Sequence, residues 1–92
     1  FKGVKIDENV FIGPSVVFTN VKFPKSSKPV SKNYDQTLVK KSASIGANST
    51  IVCGNILGKN CFVGAGSVVT KNLEENCLYY GNPARLIKKL EN

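Results

Sequence analysis

No histidine occurs among the 92 residues. Imidazole chemistry is therefore missing from the chain: it can assemble no Ser-His-Asp triad, no Cys-His pair, no three-histidine zinc site and no histidine general base. Tryptophan and methionine are absent as well, which removes the large gap-filling side chains of a conventional core. Cysteine is scarce. Cys53, Cys61 and Cys77 are an odd number with no CxxC pair, which excludes zinc-ribbon and thioredoxin-type motifs and leaves buried, reduced thiols as the expectation. Negative charge is also in short supply, with 6 Asp+Glu against 13 Lys+Arg and a formal charge of +7. There is no run of ~18 apolar residues, so no stretch of the 92 predicts a membrane-spanning helix. No charged–apolar–small signal segment opens the chain, and a cytoplasmic location is the expectation. Phe1 rather than Met stands first, as expected for a fragment or a trimmed product.

What is present points to one soluble β-rich domain. Hydrophobic residues make up 41% and charged residues 21%, a globular balance. Eight glycines and many Val, Ile, Asn and Ser predict short strands joined by many turns.

The order beneath this composition is a repeat of six. A branched apolar residue precedes a small or acidic one at Ile6-Asp7, Ile12-Gly13, Ile45-Gly46, Leu57-Gly58 and Val63-Gly64, and Ile51 and Val69 fill the intervening places. Phe18 and Val39 continue the ladder at its inner edges. The fifth place of the hexads holds Val10, Val16, Ala43, Ser49, Asn55, Cys61, Ser67 and Leu73, mostly small residues. Neither a helix, at 3.6 residues per turn, nor a simple strand, at 2.0, produces a period of six. A short strand plus a turn does, forming one flat face of a prism. Three faces close a coil of about 18 residues, and coils stack at ~4.8 Å. The aliphatic residue points inward, the fifth residue fills the tight inner corner, and Asn and Gly in the turns accept unusual backbone angles. Asn48-Ser49-Thr50 fits a glycosylation sequon, yet in this frame it is a turn between faces.

The register shifts once, between Phe18 and Val39. Residues 20–38 carry Pro24, Pro29, Lys22, Lys25, Lys28 and Lys32 and are expected to leave the prism as a loop, a length usual for functional or disordered segments. The β-helix is expected to span 1–80. Pro83 suits a first helical turn and Leu86, Ile87 and Leu90 fall on one face, so 81–92 predicts a short C-terminal helix capping the open end of the stack. Outward apolar residues such as Val17, Phe62 and Val68 predict burial between neighbouring prisms in a homo-oligomer, and a three-faced prism suits a trimer.

Three motifs carry a family resemblance: Ile45-Gly46-Ala47-Asn48-Ser49-Thr50-Ile51, Val63-Gly64-Ala65-Gly66-Ser67-Val68-Val69-Thr70-Lys71, and Gly81-Asn82-Pro83-Ala84-Arg85. In them, and over nearly the whole chain, the sequence resembles the hexapeptide-repeat acyltransferases. That resemblance implies an all-β, left-handed parallel β-helix; handedness comes from the family and not from the period. Val10-Phe11-Ile12-Gly13-Pro14 and Phe18-Thr19-Asn20-Val21-Lys22-Phe23-Pro24-Lys25 resemble, more narrowly, the branch that acetylates amino groups on nucleotide-linked sugars. Val21 stands where that branch usually has Asp, and Lys25 where it usually has Arg, which keeps the charge and loses the bidentate fork.

The resemblance implies acetyl-CoA as co-substrate, an amino sugar as acceptor, a homotrimer and no metal. Asn20 would hold the sugar near its amino nitrogen as the catalytic-site residue, with Lys22 and Lys25 beside the substrate. Gly46, Ala47, Ala65 and Gly66 would let pantetheine approach the backbone, Lys71 and Arg85 would meet phosphates, and Pro83 would border the adenine. An amine acceptor also suits a chain without histidine, because a neutral amine attacks a thioester without a strong base. Structural roles compete for the same residues: Ala65 and Gly66 as prism corners, Lys71 as a solvated turn residue, Arg85 as a partner of the C-terminal helix, Asn20 as a turn cap, Tyr79 and Tyr80 as end packing. The functional alternatives are an O-acetyltransferase drawing a base from outside these residues, and a β-helix module that only assembles. The basic excess alone does not make a nucleic-acid binder, since no stacking-aromatic module accompanies it.

Overall fold

The computed structural model describes residues 3–19 and 36–91. In it the period of six becomes strands of two or three residues joined by turns: β1 (Val4–Ile6), β2 (Phe11–Ile12), β3 (Val17–Phe18), β4 (Thr37–Val39), β5 (Ser44–Ile45), β6 (Thr50–Ile51), β7 (Ile56–Leu57), β8 (Phe62–Val63) and β9 (Val68–Val69). Each strand pairs in parallel with the one a coil away, giving the sheets β1-β4-β7, β2-β5-β8 and β3-β6-β9. The architecture is a three-faced parallel β-helix. Ile6, Val39 and Leu57 share one column, Ile12, Ile45 and Val63 a second, and Phe18, Ile51 and Val69 the third. The two hexad registers on either side of the interruption therefore align as the sequence predicts.

Stacking decides which of these residues are dry. Val39, Ile45, Ile51, Leu57, Val63 and Val69 are buried, whereas Ile6 and Ile12 on the first described coil remain 41% and 37% exposed. Full burial of such a side chain contributes about 1.5–3 kcal/mol, which Ile6 and Ile12 realise only in part, whereas Phe18 on the same coil is buried. The fifth-place residues Ala43, Ser49, Asn55, Cys61 and Ser67 are all buried, and Asn55 Nδ2 donates to Val52 O at 2.7 Å. The fourth place is the one the backbone constrains. Asn9, Ser15, Ser42, Asn48, Asn60 and Asn76 all occupy it with φ between 56° and 62°, as do Gly54 and Gly66 at 83° and 74°. Short polar side chains and glycine accept this region at least cost, and Asn48 is thus a turn residue.

Three expectations are corrected. The C-terminal segment 81–92 is not a helix. Strands β10 (Cys77–Gly81) and β11 (Ala84–Lys89) form an antiparallel hairpin, and no helix occurs among the described residues. Strand β10 adds in parallel to β8, so the boundary drawn at residue 80 falls inside a strand. The physical reason is the free edge of β8. A lone helix of about seven residues leaves most of its amides unpaired and nucleates poorly, whereas a hairpin satisfies both that edge and its own backbone. Leu86 and Ile87 are accordingly 53% and 55% exposed rather than forming a buried helical face.

The loop expected at 20–38 is also shorter at its far end, because Thr37 and Leu38 already pair within β4; residues 20–35 lie outside the described residues. Leu73, expected in a fifth place, instead bridges in parallel to Leu57. It follows Leu57 by sixteen residues, whereas Leu57 follows Val39 by eighteen. The last coil has lost two residues after Val69, so Asn76 takes the fourth place and Cys77 the fifth.

Cys53, Cys61 and Cys77 are free thiols, all buried. Burial pushes the Cys61 thiol up to about 12 from its usual 9.0; the adjacent Cys77 adds to the rise and a backbone hydrogen bond opposes it. The folded state therefore holds this proton more tightly than the unfolded chain. The associated stability is complete below pH 9 and is lost between pH 9 and about 12, at up to about 1.4 kcal/mol per pH unit. Urea unfolding across that range is expected to show a slope that Cys61→Ala flattens. An unchanged slope in the variant would mean that Cys61 titrates normally.

Candidate functional site

The turn after β5 and the turn after β8 stack to form one corner of the prism. Gly46 N–H donates to Val63 O at 2.8 Å, and Gly66 N–H donates to Ala47 O at 2.8 Å. The approach is close because Gly46 has no side chain: a Cβ there would stand 2.5 Å from Ala65 N and 2.8 Å from its Cα. Four of the sequence-predicted site residues, Gly46, Ala47, Ala65 and Gly66, therefore adjoin. Ala65 and Gly66 are exposed, and together they make a strip of backbone that no large side chain covers.

The hairpin departs from the same corner. Gly64 O accepts Ser67 Oγ–H at 2.6 Å and Ser49 Oγ–H at 3.2 Å. Ser67 Oγ in turn accepts Gly81 N–H at 3.1 Å. Asn82 and Pro83, both exposed, connect β10 to β11, so Pro83 stands at the hairpin turn just beyond the corner. Arg85 pairs across the hairpin with Tyr80, and the Tyr80 ring lies where a side chain on Gly64 would be.

Lys71 and Arg85 line one cleft of about 350 Å³ with Asn72, Glu74, Tyr79 and Leu86. Its wall is fixed from within: Tyr79 is buried, and its hydroxyl accepts Glu74 N–H at 3.0 Å. Asn72 Oδ1 accepts Ile56 N–H at 2.8 Å, which holds the shortened turn against the coil below. Two cations in one cleft suit an anionic group, and Glu74 opposes part of that charge. Pro83 does not line this cleft. Asn20, Lys22 and Lys25 lie outside the described residues. Thr19, just before them, follows β3 with its N–H on Ile51 O, and its Oγ1 accepts Cys53 N–H at 3.0 Å. Among the described residues no group of three or more His, Cys, Asp or Glu is placed to hold a metal, and no helix is long and apolar enough to cross a membrane.

Sequence reasoning missed two residues here. Tyr79 is end packing as expected, but Tyr80 is 57% exposed beside the corner. The strand alternation that separates them was available once 77–81 was taken as a strand. Ser67 was a fifth-place residue like any other, and nothing in its hexad marks its bond to the hairpin.

Residues 42–71 match the family model described as the hexapeptide repeat of succinyl-transferase. A dTDP-3-amino-3,6-dideoxy-alpha-D-galactopyranose 3-N-acetyltransferase of Aneurinibacillus thermoaerophilus is 58% identical over 55 residues, covering 60% of this chain and 29% of the relative. A galactoside O-acetyltransferase of Lactococcus lactis is 30% identical over 93 residues, covering 91% of this chain and 45% of the relative. The crystal structure of AntD, an N-acyltransferase from Bacillus cereus in complex with dTDP and 3-hydroxybutyryl-CoA, superposes with a TM-score of 0.83 at 23% identity, over 96% of this chain and 52% of that one. That likeness is one of fold. The chain thus spans less than half the length of these curated relatives.

Proposed function

We propose, from the premise that this chain resembles the hexapeptide-repeat acyltransferases, that it supplies the acyl-donor side of an acetyl-CoA-dependent N-acetyltransferase acting on a nucleotide-linked amino sugar. The observation that carries this is the convergence of the bare corner (Gly46, Ala47, Ala65, Gly66) with the hairpin bearing Pro83 and Arg85, and of Arg85 with Lys71 in one cleft. Pantetheine needs close approach to backbone, and the phosphates need cations. The 58% identity to a dTDP-amino-sugar N-acetyltransferase supports the acceptor class, and the left-handed sense of the β-helix is taken from the family.

In this reaction a neutral amino nitrogen attacks the thioester carbonyl. A C–N bond forms, the C–S bond breaks, and the products are an N-acetyl sugar and free CoA thiol. The attacking nitrogen sheds its extra proton to solvent, and the expelled thiolate takes one up from solvent to become the thiol. The chain's share is positioning, worth up to ~7–11 kcal/mol in well-oriented cases, and backbone amides directed at the carbonyl oxygen. Asn20 is proposed to hold the acceptor, with Lys22 and Lys25 at its charged part. A homotrimer is part of the proposal. Phe11, Ser44, Phe62 and Leu78 follow one another in register along one outer face, and Phe11 and Phe62 are 61% and 46% exposed, an apolar stripe that fits a second prism.

The intact protein is expected to release CoA thiol with acetyl-CoA and nucleotide-linked amino sugars, and not with the matched hydroxyl sugars. Turnover on the hydroxyl sugars would instead favour O-acetylation, which the 91% coverage by a galactoside O-acetyltransferase keeps as the second reading, with a base supplied from outside these 92 residues. No turnover and no CoA binding would leave an assembly module.

A further inference from the structure

We infer that Ser67 is a positioning residue whose hydroxyl couples the two halves of the acyl-donor site, holding the hairpin of Pro83 and Arg85 against the corner at 64–66. The inference rests on the reading of that corner and hairpin as the CoA site. Ser67 is fully buried. Its Oγ–H donates to Gly64 O at 2.6 Å and its oxygen accepts Gly81 N–H at 3.1 Å. One hydroxyl thus spans from the residue before Ala65-Gly66 to the residue at which the hairpin turns. A hydroxyl can do this because it donates one proton and accepts through its lone pairs at once.

The position of Ser67 in the stack explains why this bond is special. Strand β9 is the last of its sheet among the described residues, and none of them places a further hexad on that face above Ser67. Ser49 stands one coil lower, immediately before the strand that pairs with β9. It is equally buried, and its hydroxyl donates to the same Gly64 O at 3.2 Å. Where Ser49 has another coil above it, Ser67 has Gly81. Gly81 adopts φ 110°, a region closed to most side chains, and pairs with Ala84 to close the hairpin. Fixing its amide fixes where Pro83 leaves the prism and where β11 returns with Arg85.

Ser49 supplies a matched control for the test. Ser67→Ala and Ser49→Ala each remove one fully buried hydroxyl from the same carbonyl, and only Ser67→Ala frees the Gly81 amide. In the intact protein Ser67→Ala is expected to raise KM for acetyl-CoA roughly five- to tenfold, the scale of one hydrogen bond, with kcat at saturation nearly unchanged. Ser49→Ala should shift KM less than about twofold while lowering the melting temperature comparably. Amide exchange at Gly81 should accelerate in Ser67→Ala alone. Ser67→Cys, which fills the site with a slightly larger atom and weakens the bond, is read the same way if Ser67→Ala does not fold. Equal KM shifts in the Ser67 and Ser49 variants, or unchanged exchange at Gly81, would overturn the inference and leave the CoA site standing. Wild-type protein that binds no acetyl-CoA would overturn both.

Discussion

Replacing Arg85 with alanine is expected to raise KM for acetyl-CoA by about tenfold, and replacing Lys71 as well to bring the rise to about a hundredfold. A hydrogen bond to a charged group contributes about 1.5–3 kcal/mol, or roughly ten- to a hundredfold. Both side chains are exposed, which places each at the lower end. They line the same cleft as Glu74, so without them a carboxylate would remain at the site proposed for the phosphates. Acetyl-pantetheine provides the decisive comparison, since it keeps the thioester and lacks the nucleotide phosphates. The variants should use it as the wild type does, and added salt should weaken acetyl-CoA use more in the wild type than in the double variant. An equal loss with acetyl-pantetheine would mean that Arg85 and Lys71 shape the hairpin and do not meet phosphate.

Gly46→Ala is expected to cost about 1–3 kcal/mol of folding free energy, the usual range for forcing a methyl into a packed site, and to lower the melting temperature by several degrees to about twenty. The atoms such a methyl would meet are Ala65 N at 2.5 Å, Ala65 Cα at 2.8 Å and Val63 O at 2.9 Å, all backbone of the next coil. Only a separation of the coils relieves them, and that would break the bonds at the candidate site. Two other glycines set the scale. At Gly64 the obstacle is the exposed Tyr80 ring, which can swing aside, so Gly64→Ala should cost least. At Gly66 there is open space but φ is 74°, so alanine pays about 1–2 kcal/mol in backbone strain. Gly66→Asn should be better tolerated, since Asn48 and Asn60 already hold that place with φ near 60°. Thermal melts of the series test the order. A Gly46→Ala protein as stable as the wild type would refute the stacked-backbone account.

The parts of this protein legible in its sequence are those that repeat. Ile45, Ile51, Leu57, Val63 and Val69 each meet the same environment, so six-residue spacing alone assigns them to the interior. Asn48, Gly54, Asn60 and Gly66 mark the left-handed turn place for the same reason. Even the insertion did not hide the alignment of Phe18 with Ile51, because the column pattern resumes after it.

What the tertiary structure alone decided lies where the repeat stops. Leu86, Ile87 and Leu90 fit helical spacing and not strand alternation; the exposed edge of β8 overrode that spacing, since a helix has no means of satisfying it. The two residues missing after Val69 turned Leu73 into a stacking residue, which no local pattern announces. Lys71 and Arg85 share a cleft only because the hairpin folds back over the last coil, and Ser67 acquired a distinct role only because its sheet ends at β9. A periodic sequence specifies the environment inside the stack. At its end the unpaired backbone must find partners, and those partners are set by which segments the finished coils bring within reach.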